Sequence, residues 1–246
     1  MLIAIAILTV ILQAGFLIHL FKSGRPYWWG FIILSFPLIG CMVYYFIEIF
    51  PDTQEARKAE KIVHTIGKRM GGDKAFMRRV EEVDICGSVD NKLALARECM
   101  ERGLYDDAAR LFHNCMQGLF ADDPNLLLGL STALVEKQDF SEARVRLDRL
   151  QAKHPDFKPN DAGLLRARVL EGLSETQGAL QVYETLLPVY VGFEARYRHG
   201  LLLQKLGHAE QARGTFETML DHARRHRVSH DEEQAWLNLA KQELKA

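Results

Sequence analysis

Apolar and polar residues divide this chain of 246 residues into two unlike parts. Residues 1–50 are almost continuously apolar, and their only formally charged side chains are Lys22, Arg25 and Glu48. After residue 50, charged residues alternate with apolar residues at helical spacing. The first part is typical of membrane-spanning segments. The second predicts amphipathic α-helices, so we expect an all-α protein.

The apolar part predicts two membrane-spanning helices joined by a short turn. The first, from Leu2 to Phe21, has 20 residues, which suffice at about 1.5 Å per residue to cross a hydrocarbon core of about 30 Å. It lacks the basic start and the small-residue cleavage site of a signal peptide, so we expect it to be retained. The second span follows the turn and runs to about Phe50, with a kink near Phe36 because Pro37 follows.

Basic residues decide the expected orientation of this hairpin. Five of them come soon after the second span: Arg57, Lys58, Lys61, Lys68 and Arg69. The turn between the spans holds only Lys22 and Arg25. The positive-inside rule therefore predicts that both termini face the cytoplasm. We expect a two-pass protein of the bacterial inner membrane, with lipid contacts through the hairpin and a cytoplasmic C-terminal part; a periplasmic C-terminal part is the alternative.

A helical signature recurs four times in the charged part: an alanine is followed four residues later by Phe, Leu or Tyr. The four pairs are Ala108/Phe112, Ala143/Leu147, Ala179/Tyr183 and Ala212/Phe216. Successive alanines are 35, 36 and 33 residues apart, and a period of about 34 residues indicates stacked helical repeats. The alanine is small because two helices cross there, and the larger residue fills the gap one turn later.

The repeats resemble the tetratricopeptide family. Residues 103–108, Gly-Leu-Tyr-Asp-Asp-Ala, match the family's turn Gly-x-(Tyr/Phe)-x-x-Ala. The third repeat departs from this pattern, since it has Ser174-Glu175-Thr176 at the turn. The resemblance implies a right-handed solenoid of about four helix pairs with a capping helix, and it implies a function in holding other proteins.

Three parts are expected in chain order: a transmembrane hairpin (1–50), a helical juxtamembrane spacer (51–88) and a tetratricopeptide-like repeat domain (89–246). The repeats are expected near residues 89–123, 124–159, 160–192 and 193–227. A capping helix over 229–245 should begin at a capping box formed by Ser229 and Glu232. Trp236 and Leu239 give that helix an apolar face to cover the end of the stack.

The apolar hairpin resembles the N-terminal membrane segment of phospholipase D-type enzymes such as cardiolipin synthases. The similar residues are Lys-Ser-Gly-Arg-Pro at 22–26, Trp-Trp at 28–29 and Phe-Pro-Leu-Ile-Gly at 36–40. Those enzymes act through an HxKxxxxD motif, whereas no histidine of this chain is followed two residues later by lysine, so lipid synthesis is not implied. With segments such as Gly-Leu-Phe-Ala at 118–121, the whole chain resembles bacterial membrane-anchored proteins with divergent tetratricopeptide repeats.

In the tetratricopeptide family the first helix of each repeat lines a concave groove. Carried over to this chain, the resemblance implies a partner-binding groove with seven residues: Arg97, Met100, Thr132, Arg168, Glu194, Tyr197 and Lys205. The three cations among them suit carboxylates of a protein or peptide partner. The alternative is that Arg97 and Arg168 pair with nearby acids between repeats, for example with Glu101 and Glu171 on their own helices.

Composition and motifs narrow the remaining functions. The formal net charge is -1 and the pI is about 6.8, so we expect no nucleic-acid partner. The four cysteines form no CxxC pair and no histidine or glycine-rich motif of a known site is present, so we expect no catalytic residue, cofactor or metal. We expect a non-catalytic, membrane-anchored scaffold. Its alternatives are a scaffold for envelope assembly in the periplasm, a lipid-linked enzyme or partner of a phospholipid-synthesis enzyme, and a structural oligomer.

Overall fold

The computed structural model of the protein describes residues 2–22, 28–45, 61–67, 73–225 and 231–245. The side chains of residues 2–8, 19, 21, 22, 231 and 232 also lie outside what it describes. In the described residues all regular secondary structure is helical, as predicted. The chain divides into two compact units, Met1–Gly87 and Ser88–Ala246.

The first unit begins with three helices that pack on one another: α1 (Leu2–Lys22), α2 (Trp28–Ser35) and α3 (Pro37–Tyr44). Their shared core consists of Leu20, Trp29, Ile33, Cys41 and Tyr44. Gln13 ties α1 to α2, because its Nε2 donates to the main-chain carbonyl of Ile33 at 2.8 Å. Other large apolar side chains of these helices, including Phe31 and Ile39, are exposed.

The apolar stretch after α1 is broken into two short helices. α2 ends at Ser35, the chain bends at Phe36, and α3 starts with Pro37, which has no N–H to continue the helical hydrogen bonding. The kink predicted near Phe36 is therefore confirmed. Each of these helices has 8 residues and is about 12 Å long, well short of the ~30 Å of a hydrocarbon core.

The predicted membrane localisation is wrong. Among the residues that the structure describes, no helix is both long enough and apolar enough to cross a membrane. This finding overturns the two-pass inner-membrane assignment, and it leaves the transmembrane hairpin, its lipid contacts and its resemblance to a phospholipase D-type segment without support. The polar turn at 23–26 and four of the basic residues used for orientation, Arg57, Lys58, Lys68 and Arg69, lie outside the described residues.

Two further helices belong to the first unit, α4 (residues 61–67) and α5 (Lys74–Ile85). Asp73 caps α5, because its carboxylate accepts hydrogen bonds from the main-chain N–H groups of Ala75 and Phe76. Its position just before an amphipathic run predicts this role, since Asp satisfies N–H groups that a helix start leaves unpaired.

The second unit contains nine described α-helices in chain order, with a 3-10 helix (Gly118–Phe120) between the second and the third. They are α6 (Val89–Glu101), α7 (Tyr105–Cys115), α8 (Pro124–Glu136), α9 (Phe140–Lys153), α10 (Pro159–Gly172), α11 (Thr176–Leu186), α12 (Glu194–Lys205), α13 (Ala209–Arg225) and α14 (Asp231–Glu243). Each packs on the next, and α8 also contacts α10. The helices from α6 to α13 thus form four consecutive pairs, of which α6, α8, α10 and α12 are the first members.

The repeated signature is buried in every helix pair. Ala108, Ala143, Ala179 and Ala212 are at most 1% exposed, and the larger residue four positions later is buried each time. A methyl group lets two helices approach closely, while the larger side chain fills the space beside it. Gly129 on α8 extends this packing, since an added Cβ would lie only 2.6 Å from Cε1 of Phe112.

The turn inside each pair has one backbone conformation in all four repeats. Gly103, Gln138, Ser174 and Gly207 occupy equivalent positions and have φ of 72°, 68°, 62° and 81°. In each turn this residue and the next one donate their N–H groups to carbonyls of the preceding helix. The left-handed conformation suits glycine and is strained for other residues. The second and third repeats therefore keep the turn geometry of the first and fourth although they lack the glycine.

The last helix, α14, packs on the fourth pair through one of the two predicted residues, Trp236, and through two others. Leu237 and Ala240 are buried in that core and Trp236 packs against it, but Leu239 is 37% exposed. Ser229 of the predicted capping box lies outside the described residues, and α14 begins at Asp231.

Candidate partner-binding groove

An open cavity of about 370 Å³ lies between α6 and α8. Its walls are apolar at Leu93, Met100 and Leu128, and Phe112 also lines it. Polar and charged groups complete the lining: Arg97, Glu101, Asn125, Thr132 and Lys158. Thr132 has its hydroxyl committed, because it donates to the carbonyl of Leu128 at 2.9 Å. We call this site the first cavity.

Arg97 is one of two exposed cations that line the first cavity, with Lys158 the other. Among the described residues Arg97 has no ion pair or hydrogen bond, and Glu101, its predicted partner on the same helix, is not within ion-pair distance. Lys158, just before α10, lies with its ammonium 5.7 Å from the ring centroid of Phe157. The guanidinium of Arg97 is therefore available to a ligand.

A second cavity of about 380 Å³ lies further along the stack, and its charged groups are already paired. Arg168 on α10 places Nη1 2.8 Å from Oε1 of Glu136 on α8 and 3.6 Å from Oε1 of Glu194 on α12. Its side chain is only 16% exposed. Arg198 donates from Nε to the same Glu194 oxygen at 2.7 Å. These pairs join the first helices of three successive repeats, and we call them the arginine–glutamate network.

Glu171, the predicted partner of Arg168, is engaged elsewhere. It accepts a hydrogen bond from the phenol of Tyr183, one of the four signature residues. Burial raises the pKa of Tyr183, and the charge of Glu171 raises it further. The phenol therefore stays protonated and remains a donor, so Glu171 serves the core of the third repeat.

The remaining predicted groove residues lie in different surroundings. Tyr197 is 7% exposed and packs in the core of the fourth repeat, with ring centroids 5.9 Å from Phe216 and 5.5 Å from Trp236. Lys205 is exposed at the end of α12. Of the seven residues, Arg97, Met100 and Thr132 share the first cavity, whereas Arg168 and Glu194 meet in the network.

The cysteines of the second unit are not reactive thiols. Burial raises the pKa of Cys99 to about 12 and that of Cys115 to about 11, so both remain protonated at neutral pH. Among the described residues, no group of three His, Cys, Asp or Glu side chains is placed to hold a metal ion.

Comparison with known proteins identifies the type of repeat in part of the second unit. The family model described as tetratricopeptide repeat matches residues 100–169. A crystal structure of MamA is 21% identical, with a TM-score of 0.52 over 64% of this chain and 93% of that one. A second structure of MamA is 17% identical, with a TM-score of 0.50 over 72% and 98%. YrrB, described as a TPR protein with an unusual peptide-binding site, is 16% identical, with a TM-score of 0.46 over 70% and 86%.

No curated protein matches the chain. The family match and the likeness of fold confirm that the protein contains tetratricopeptide repeats in an all-helical solenoid. This class of fold is typically a non-catalytic scaffold for protein–protein interaction.

Proposed function

We propose that this protein is a non-catalytic adaptor that binds a protein or peptide partner on the surface of α6 and α8. The observation that carries the proposal is the first cavity, which is open and has Arg97 on its lining without a partner among the described residues. Such a cation binds a carboxylate without first giving up an internal ion pair. Leu93, Met100 and Leu128 add apolar surface whose burial favours association by about 25 cal/mol per Å².

Two of the remaining predicted groove residues, Arg168 and Glu194, support this surface in the proposal. Arg168 and Glu194 hold α8, α10 and α12 together, and this fixes the face of α8 that lines the first cavity. Tyr197 belongs to the core, so we leave it out of the binding surface. A partner bound on α6 and α8 needs no change in the pairs of the network.

A crosslinked pull-down with the tagged full-length chain tests this function. The wild type should capture a partner that Arg97→Ala loses. The matched control is Arg213→Ala, an exposed arginine on α13 paired with Glu217 one turn away, and this variant should capture the same partner. Capture that Arg97→Ala leaves unchanged, in a variant with an unchanged helical circular dichroism spectrum, would contradict the proposal.

A further inference from the structure

We infer that the bound segment of the partner carries an acidic side chain beside a large apolar one, and that it occupies the first two repeats alone. The inference rests on the proposed function and specifies the chemistry of its ligand. Three observations carry it: the charges around the first cavity, the apolar walls of that cavity, and the closed network in the neighbouring one.

The two cavities differ in the charge that they offer a ligand. The first has Arg97 and Lys158 against the single carboxylate of Glu101, and Arg97 is not ion-paired with any described residue. The second has Arg168 and Arg198 against Glu136 and Glu171, and both arginines also pair with Glu194. An excess of positive charge favours an acidic ligand in the first cavity, whereas the second offers no unpaired arginine.

The apolar walls of the first cavity add the second requirement. Leu93 and Met100 come from α6 and Leu128 from α8, so an apolar side chain inserted between the two helices contacts both. The unbranched thioether of Met100 adapts its shape to such a guest. A cavity of about 370 Å³ is at the small end of ligand sites, which fits one large side chain and its neighbours.

The limit of the site lies on α8. Thr132 lines the first cavity and Glu136 the second, and residues four apart are neighbours on one helix face. A ligand that extends past Thr132 therefore meets Glu136, which is held 2.8 Å from Arg168. An acidic group of a longer ligand placed there would be repelled by the carboxylate of Glu136 and would find Arg168 already paired, so extension of an acidic ligand is disfavoured.

Selection from a displayed library of random heptapeptides on the full-length chain tests the ligand chemistry and does not require an identified partner. Enriched peptides should contain Asp or Glu within two residues of Leu, Met, Ile or Phe. A selected peptide is then synthesised with a fluorophore, together with one version in which Asp or Glu is replaced by its amide and one in which the apolar residue is replaced by Ser. Fluorescence anisotropy should show at least about tenfold weaker binding for each altered peptide.

Variants of the protein locate the site with the same selected peptide. Arg97→Ala should weaken binding at least about tenfold and should abolish the preference for the acid over its amide, and Arg97→Lys should retain part of that preference. Lys205→Ala, an exposed cation of the fourth repeat, should change the affinity less than about twofold. A large loss with Lys205→Ala would overturn the limit to two repeats.

The remaining outcomes separate the inference from the proposed function. Enriched peptides without acidic residues, or with a Kd indifferent to Arg97→Ala, would overturn the inferred chemistry while leaving an adaptor with another ligand. If no peptide is enriched and Arg97→Ala captures the same proteins as the wild type, both the inference and the proposed function fail.

Discussion

Arg97 and Arg168 hold the same place in the first and third repeats, yet their surroundings differ. Arg168 is 16% exposed and lies between Glu136 and Glu194, whereas Arg97 is exposed and has no acidic partner among the described residues. The following repeat supplies Glu194 beside Arg168, and Asn125 stands at the equivalent position in the cavity of Arg97; the preceding repeat supplies Glu136, 2.8 Å from Arg168. The carboxylates of the neighbouring repeats thus determine whether a groove arginine stabilises the stack or is available to a partner.

The largest expected effect comes from removing the paired arginine. Arg168→Ala should lower the free energy of unfolding by about 2–3 kcal/mol, because it leaves the partly buried carboxylate of Glu136 without its partner. Arg97→Ala should change it by less than about 0.5 kcal/mol, as expected for an exposed side chain without contacts. Urea unfolding of the full-length chain gives both values, and hydrogen exchange should locate the loss in α8, α10 and α12. Equal destabilisation by the two variants would show that Arg97 stabilises the stack as much as Arg168 does, and the contrast between them would be wrong.

The folding stability of the repeats that hold the arginine–glutamate network should also be sensitive to acid. His199 on α12 is 8% exposed, and neither ring nitrogen has a hydrogen-bond partner in the described structure. Burial lowers its pKa from the ordinary value, and the nearby charge of Glu184 opposes this only in part. Above an unfolded pKa of about 6.5 both states are neutral, so the titration of His199 contributes no loss of stability there. As the pH falls through that value the unfolded state takes up a proton first, and stability is lost.

The loss should reach at most about 1.4 kcal/mol per pH unit for this one group. His199→Phe removes the titration and keeps a ring beside Tyr183, whose ring centroid is 6.4 Å away. Unfolding free energies measured between about pH 7 and pH 5 should fall less steeply in the variant than in the wild type. Parallel slopes would show that other groups cause the acid sensitivity.

Substitutions in the turns of the first and third repeats should have smaller effects on stability, with opposite signs. Ser174 has a φ of 62° where the first repeat has Gly103 at 72°. Ser174→Gly should stabilise the protein by about 1 kcal/mol, because glycine adopts the left-handed conformation without strain. Gly103→Ser should destabilise it by a similar amount. Thermal unfolding measures both, and a destabilising Ser174→Gly would mean that the greater freedom of glycine in the unfolded chain outweighs the relief of strain.

The sequence predicted those features that depend on local spacing. The alanine period located all four helix crossings, including Ala179 and Tyr183 in the divergent third repeat, because a helix buries every third or fourth residue wherever it packs. The membrane assignment failed at Phe36, where the apolar stretch divides into two helices that fold against α1. The number of apolar residues in a stretch does not show whether they form one helix long enough to span a membrane or two short ones.

The candidate site was harder to predict, since its contacts join distant parts of the chain. Arg168 pairs with residues 32 positions before it and 26 after it, whereas the acid that the sequence offered as its example was Glu171 on the same helix. Tyr197 was assigned to the groove by its place in the repeat, but it is buried where α14 packs on the fourth pair. Lys158 was missed because it precedes α10 and lies outside the helix positions that line the family's groove.

The smallest expected change in stability comes from a substitution of Asn125, which stands beside Arg97 where Glu194 stands beside Arg168. The same substitution tests the contrast between the two arginines most directly. Asn125→Glu places a carboxylate beside Arg97 at the position that Glu194 holds beside Arg168. An exposed pair of this kind should stabilise the protein by no more than about 0.5 kcal/mol. Its effect on binding should be much larger, because the new carboxylate competes with that of the ligand and repels it.

Anisotropy with the selected acidic peptide should therefore show weaker binding to Asn125→Glu by about tenfold or more. Asn125→Gln is the matched control, since it has the shape of glutamate without the charge and should bind as the wild type does. Raising the salt concentration should narrow the difference between the two variants, because screening weakens exposed charge interactions. If both variants lose binding equally, the ligand requires the shape of the Asn125 side chain. The pairing of Arg97 with a carboxylate would then not explain why the first cavity binds and the second does not.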